Sequence, residues 1–135
     1  MIDYNPPEPE FETATEYQVS APQIPNNREA EEATIGSVLI NPFSYWDISN
    51  VIKSRDFYVH RNRFIWEAFE ALIQKTSPID LLTVSDELTA RGKLEDVGGS
   101  AYLTSLINQV PSSLNAASYA VLVKGCSERR DGINF

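Results

Sequence analysis

The sequence predicts an all-α fold, a multi-helix bundle whose last two helices pair as an antiparallel hairpin. Three observations carry this. Apolar residues recur at helical spacing along most of the chain after residue 25, and most clearly between Val59 and Lys75. There Phe64, Ile65, Ala68, Phe69, Leu72 and Ile73 form one wide stripe, with Arg61, Arg63, Glu67, Glu70 and Gln74 on the wet side. Capping residues precede such stripes, and Pro or Gly follows them. The β-prone run from Ile79 to Val84 has no second strand to pair with, and the chain has no internal repeat.

Residues 1–25 stand apart. They hold five of the eight prolines, five acids (Asp3, Glu8, Glu10, Glu12, Glu16) and no Lys or Arg, so they supply -5 of the net charge of -8. Such a segment buries too little to offset its ordering entropy and reads as a disordered acidic, Pro-rich tail. Phe11, Tyr17 and Val19 are the side chains it could dock.

The helices follow in order. Asn26 with Glu29 has the form of a capping pair, and Glu29, Glu31 and Glu32 suit the positive end of a helix dipole. Ala30, Ala33, Ile35, Val38 and Leu39 line that helix until Asn41-Pro42 stops it. A second helix is expected over Ser44–Lys53, with Trp46, Ile48, Val51 and Ile52 as its apolar side. The Val59–Lys75 helix comes next, and Pro78 enforces a loop. Thr83 with Asp86 opens a further helix that Gly92 closes. Gly98-Gly99 is a turn, and Ser100 caps a helix bearing Tyr102, Leu103, Leu106, Ile107 and Val110 up to Pro111. Asn115 caps the last, whose Ala116, Ala117, Tyr119, Ala120, Val121, Leu122 and Val123 are apolar almost all round. Such a helix buries more than one side. Paired with its neighbour, it offers one face to the domain and another to a second chain.

Composition excludes several functions. A net charge of -8 and a pI near 4.6 leave too few cations to grip nucleic acid directly. The one cysteine, Cys126, excludes an internal disulfide and suits a cytoplasmic protein. No apolar run approaches the roughly 20 residues of a membrane-spanning helix, and the acidic N-terminus is unlike a signal peptide. His60 and Cys126 lack the paired spacing of a zinc site. Glu31/Glu32 and Asp86/Glu87 read as first-turn acids complementing helix dipoles rather than an acid–base pair. Gly98-Gly99 is too short to cradle phosphate, and Arg129-Arg130 reads as a solvated helix end. No catalytic, cofactor-binding or metal site is expected.

Several elements stand in a specific order: Glu29-Ala30-Glu31, Gly36 and Leu39 before Pro42, Asp56-Phe57-Tyr58, His60-Arg61 with Ile65, Asp80 with Thr83-Val84 and Leu88, Gly92 with Leu94-Glu95, Gly98-Gly99 with Tyr102-Leu103 and Leu106, and Tyr119-Ala120. From about Pro25 to Val123 the chain resembles the N-terminal domain of the bacterial replicative DNA helicase, the DnaB family. The resemblance implies a compact multi-helix bundle (residues 26–99) with a protruding C-terminal helical hairpin (100–124). It implies a docking role in DNA replication: hairpins pair into dimers, the full-length helicase is a hexamer, and its collar receives primase and the helicase loader. Neither direct nucleic-acid binding nor membrane contact is implied for this domain. Exposed apolar residues of the hairpin, Tyr102, Leu106, Tyr119 and Leu122, are the expected association surface. The ATPase domain of the family is absent from these residues, so no ATP hydrolysis or unwinding is expected. Residues 125–135 depart from the family and are expected to be irregular or non-native, with Lys124-Gly125-Cys126-Ser127 breaking the helix. The alternative function is a free-standing truncated regulator that competes for helicase subunits or primase.

Overall fold

The computed structural model describes residues 27–110 and 115–132, and every regular element among them is helical. The elements are α1 (Arg28–Ile40), α2 (Ser44–Ser49), a 3₁₀ turn (Ser54–Asp56), α3 (His60–Gln74), α4 (Leu81–Ala90), α5 (Leu94–Val97), α6 (Gly99–Gln109) and α7 (Ala116–Asp131). The tail assigned to residues 1–25 lies outside the described residues.

Helix α1 is the axis of the bundle. It packs against α2, α3, α6 and α7, and all of Thr34–Leu39 is buried. Its crossing with α6 depends on Gly36. A Cβ there would lie 2.6 Å from the Leu106 carbonyl oxygen and run into Val110, so only glycine lets the two backbones approach this closely. Beneath α1 sits an aromatic cluster around Trp66. Tyr45 stacks on it with ring centroids 5.2 Å apart, while Phe57 at 5.4 Å and Phe69 at 5.3 Å meet it at steeper angles. Each such pair contributes about 0.5–1.5 kcal/mol beyond simple burial.

The sequence-based boundaries are moved by local hydrogen bonding. Asn27, one residue later than expected, caps α1 by accepting the Ala30 N–H at 2.9 Å. Helix α4 opens at Asp80 rather than Thr83, because the two residues form a reciprocal box. The Asp80 carboxylate accepts the Thr83 N–H at 2.8 Å, and the Thr83 hydroxyl accepts the Asp80 N–H at 2.9 Å. Helix α2 ends at Ser49. Its buried face is Tyr45 and Ile48, while Trp46, expected inside, is 54% exposed. One residue of helix is a turn of about 100°, enough to carry Trp46 off that face. The short α5 was not anticipated. It ends at Gly98 and Gly99, whose φ angles of 108° and 71° give two successive left-handed residues.

The C-terminal region differs most. Helices α6 and α7, expected to lie on one another as the residue 100–124 hairpin, take α1 as their common partner, and α7 also touches α2 and the 3₁₀ turn. Helix α7 does not break at Gly125 but runs to Asp131. An internal glycine costs about 1 kcal/mol, and tertiary anchors offset it. Val123, Cys126 and Ser127 are buried beyond the expected break point or beside it. The Ser127 hydroxyl donates to the Asp56 carboxylate at 2.6 Å, and Arg130 donates to the Asp56 carbonyl at 2.7 Å.

Candidate interaction surface

Two buried carboxylates fix the frame. Glu31 on α1, 1% exposed, reaches the N-terminus of α3 and accepts the N–H groups of Tyr58 at 2.7 Å and Val59 at 3.2 Å, and the Asn62 side-chain amide at 3.0 Å. The first turn of α3 holds no acid of its own. Glu31 supplies from α1 the negative charge that the positive end of α3 favours. The Tyr102 hydroxyl extends the network, donating to the Asn62 side-chain oxygen at 2.6 Å.

Asp56 is the second. It accepts the Lys53 N–H at 2.8 Å and the Ser127 hydroxyl, with the Lys124 ammonium 3.6 Å away. Burial alone would raise its pKa. The hydrogen bonds from Ser127 and Lys53 and the charges of Lys124 and Arg55 outweigh that and hold the carboxyl below its usual range. Glu87, read in the sequence as a first-turn acid, is also buried. Lys75 at 2.6 Å and Arg91 at 2.9 Å donate to it and lower its pKa. These acids are braces between elements. Among the described residues no cluster of His, Cys, Asp and Glu could hold a metal ion. Among the described residues no helix is long and apolar enough to cross a membrane. His60 opens α3 on the surface, and Cys126 is buried with the Arg129 guanidinium 3.2 Å from its sulfur.

The four residues expected to meet a partner separate into two pairs. Leu106 is fully buried under Gly36 and is core. Tyr102 is half-buried. Besides its bond to Asn62 it carries the Arg61 guanidinium 3.9 Å above its ring. Burial raises its pKa, and the Arg61 charge opposes that. Tyr102 is therefore an internal strut of the bundle. Tyr119 and Leu122 come together in a groove of about 620 Å³ formed by α1, the end of α6 and α7, with Ala33, Val110, Glu29 and Glu32 among its walls. Leu122 is 51% exposed, and its neighbour Val121 is 57% exposed.

A second apolar surface escaped the sequence reading. Phe43, 78% exposed, and Trp46 line a cleft of about 290 Å³ with Pro42, Ile73, Pro78 and Ile79. The available signal was the pairing of Tyr45 with Ile48 three residues on, which leaves Trp46 outside. A third cleft, of about 560 Å³, is basic, lined by Arg28, Tyr58, Val59, His60, Arg61 and Asp96.

Similarity to known proteins bears on this arrangement. The model of the DnaB-like helicase N terminal domain family matches residues 23–125. The replicative DNA helicase DnaB of Haemophilus influenzae is 39% identical over 108 residues, 79% of this chain and 22% of that protein. The replicative DNA helicase DnaC of Bacillus subtilis is 38% identical over 100 residues, 74% of this chain and 22% of that protein. The crystal structure of the N-terminal domain of DnaB helicase from Mycobacterium tuberculosis superposes with a TM-score of 0.80 at 31% identity, covering 83% of this chain and 81% of that one. The chain thus spans about a fifth of the length of the helicases it matches.

Proposed function

The chain belongs to the DnaB-like helicase N-terminal domain family, and from that premise we propose that it is a non-catalytic assembly and docking domain for a replicative DNA helicase. The 135 residues hold the N-terminal domain and no ATPase domain. What they offer is surface. The observation carrying the proposal is the exposed apolar edge of α7, Val121 and Leu122, beside the groove that Tyr119 shares with Ala33 and Val110. Contiguous apolar surface rimmed by polar residues, here Glu29, Glu32 and Gln109, marks a place where another protein buries it. The occupant is a second copy of this domain, with primase or a helicase loader docking on the assembled pair. Tyr119 and Leu122 are the contact residues retained in this reading, and Tyr102 and Leu106 support them from within.

Light scattering across a dilution series tests it. A dimer that dissociates on dilution, and that Leu122→Asp abolishes while leaving the helical circular dichroism spectrum intact, supports the proposal. A strict monomer at high concentration would sink self-association through α7.

A further inference from the structure

Building on self-association through α7, on which it rests, we propose that two copies pair with their α7 helices antiparallel and crossing at Gly125, so that Arg129 of each copy faces Glu29 and Glu32 of the other. Between Ala117 and Arg129 the exposed positions of α7 are Ala117, Ser118, Val121, Leu122, Glu128 and Arg129. At about 100° per residue these fill a single arc of the helix, and Gly125, part-buried, falls near its middle. Ser118, Leu122 and Arg129 lie on the flank next to the groove, while Ala117, Val121 and Glu128 lie on the far flank. Nothing inside the chain demands glycine at 125. Among the described residues, a Cβ added there would come within 4 Å of the Arg129 guanidinium alone, at 3.6 Å. A glycine inside a helix is unfavourable relative to alanine. Bare backbone at the middle of an exposed arc lets a second helix approach closely.

Charge decides the direction of the pairing. The groove beside Tyr119 and Leu122 has two acids in its walls, Glu29 and Glu32, and no cation. Arg129 stands about 10 Å further along α7 than Leu122. A two-fold axis makes every contact reciprocal. In an antiparallel pair centred on Gly125, the Arg129 end of one helix overlies the Leu122 end of the other, and the groove-side flanks meet. Both copies' acids then face a guanidinium. A parallel pair brings opposite flanks together, so Glu29 and Glu32 face the apolar Ala117 and Val121 of the second copy, and Arg129 faces Glu128. Unlike charges across an interface fix its register, and the antiparallel order is the one that matches the acids of the groove with a cation. Because these charges sit at the rim, the pairing loosens as salt rises.

Two variants of the full chain test the pairing, Arg129→Glu and the double replacement Glu29→Lys with Glu32→Lys, all at exposed or part-exposed positions. Each variant alone sets like charges together at both ends of the interface. Its dimer dissociation constant, from light scattering over a dilution series, is expected to rise at least about tenfold above the parent's. An equimolar mixture of the two joins unlike charges at both ends and is expected to regain the parental affinity, as a heterodimer seen by native mass spectrometry. Circular dichroism checks that each variant keeps its helices. Gly125→Ala gives an independent readout: the dilute monomer should melt higher while the dimer weakens. Variants that dimerise as the parent does, a mixture no tighter than its components, or a dimer tightened by Gly125→Ala overturn the pairing and leave self-association standing. A parent that stays monomeric at high concentration overturns self-association through α7 and the pairing with it.

Discussion

Helices α1 and α7 pack on each other and carry comparable runs of small and branched apolar residues, yet the bundle treats them oppositely. Helix α1 mixes Glu31, Thr34, Gly36 and Ser37 among its apolar residues and is buried on nearly every side. Helix α7 opens with an almost continuous apolar run, Ala116–Val123 broken by Ser118 alone, and leaves Val121 and Leu122 half in water. Hydrophobic content therefore does not say which helix is central. Position in the packing does, and three of these residues of α1 have a structural use. Glu31 caps α3, the Thr34 hydroxyl donates to the Ala30 carbonyl at 2.7 Å, and Gly36 admits α6. Helix α7 has one satisfied face and one still available.

The comparison can be broken at α1 first. Glu31→Gln keeps the shape but turns an amide toward N–H donors, leaving at least one buried donor of Tyr58, Val59 or Asn62 unpaired. An unmet buried donor costs about 1–3 kcal/mol, more when a charged partner is lost. The expected loss is about 3 kcal/mol, read as a fall in melting temperature of more than about 10 °C. A melting temperature within a few degrees of the parent would show that Glu31 is not the cap of α3. Gly36→Ala comes next. Forced separation of α1 and α6 should cost about 1–3 kcal/mol, measurable as a lower urea midpoint at unchanged slope.

The anchor of α7 offers a smaller, pH-dependent effect. Asp56 has a folded pKa below its unfolded value, so its stabilisation is present above the ordinary carboxylate pKa of about 3.9 and is lost as pH falls through the folded value. Glu87 is shifted in the same direction. Melting temperature should thus drop on acidification below about pH 4, less steeply in Asp56→Asn, which is already weaker at neutral pH. A parallel slope in parent and variant would count against this role. The smallest effect on stability is expected at the available face of α7. Leu122→Asp should change the unfolding free energy of the monomer by no more than about 0.5 kcal/mol while abolishing the dimer. Should it unfold the monomer instead, Leu122 belongs to the core.

Much of the fold was legible in the sequence, because helix spacing, caps and glycine or proline stops are local. Phe64 through Ile73 predicted α3 within a residue at each end. The order of Glu29-Ala30-Glu31, Asp56-Phe57-Tyr58 and Gly98-Gly99-x-x-Tyr102-Leu103 pointed to the family that the comparisons then showed. Of the four residues expected to meet a partner, the placement of two was not legible. Tyr119 and Leu122 lie together in a groove, but a wheel of α6 cannot tell that Leu106 faces Gly36 or that Tyr102 is held by Asn62 and Arg61.

By itself the sequence determined the helical class, the order of the longer helices and where most of them begin, the family and the separate acidic segment. Each follows from residues that interact within a few positions or from composition alone. Only tertiary structure decided that α1 is the axis, that Glu31 serves α3 rather than its own helix, that α7 continues through Gly125, and that Trp46 faces out while Tyr45 faces in. Those outcomes rest on contacts between residues far apart in sequence, such as Glu31 with Tyr58 and Asp56 with Arg130. At such separations the partner of a carboxylate or a glycine is chosen by how helices pack, which no local pattern encodes.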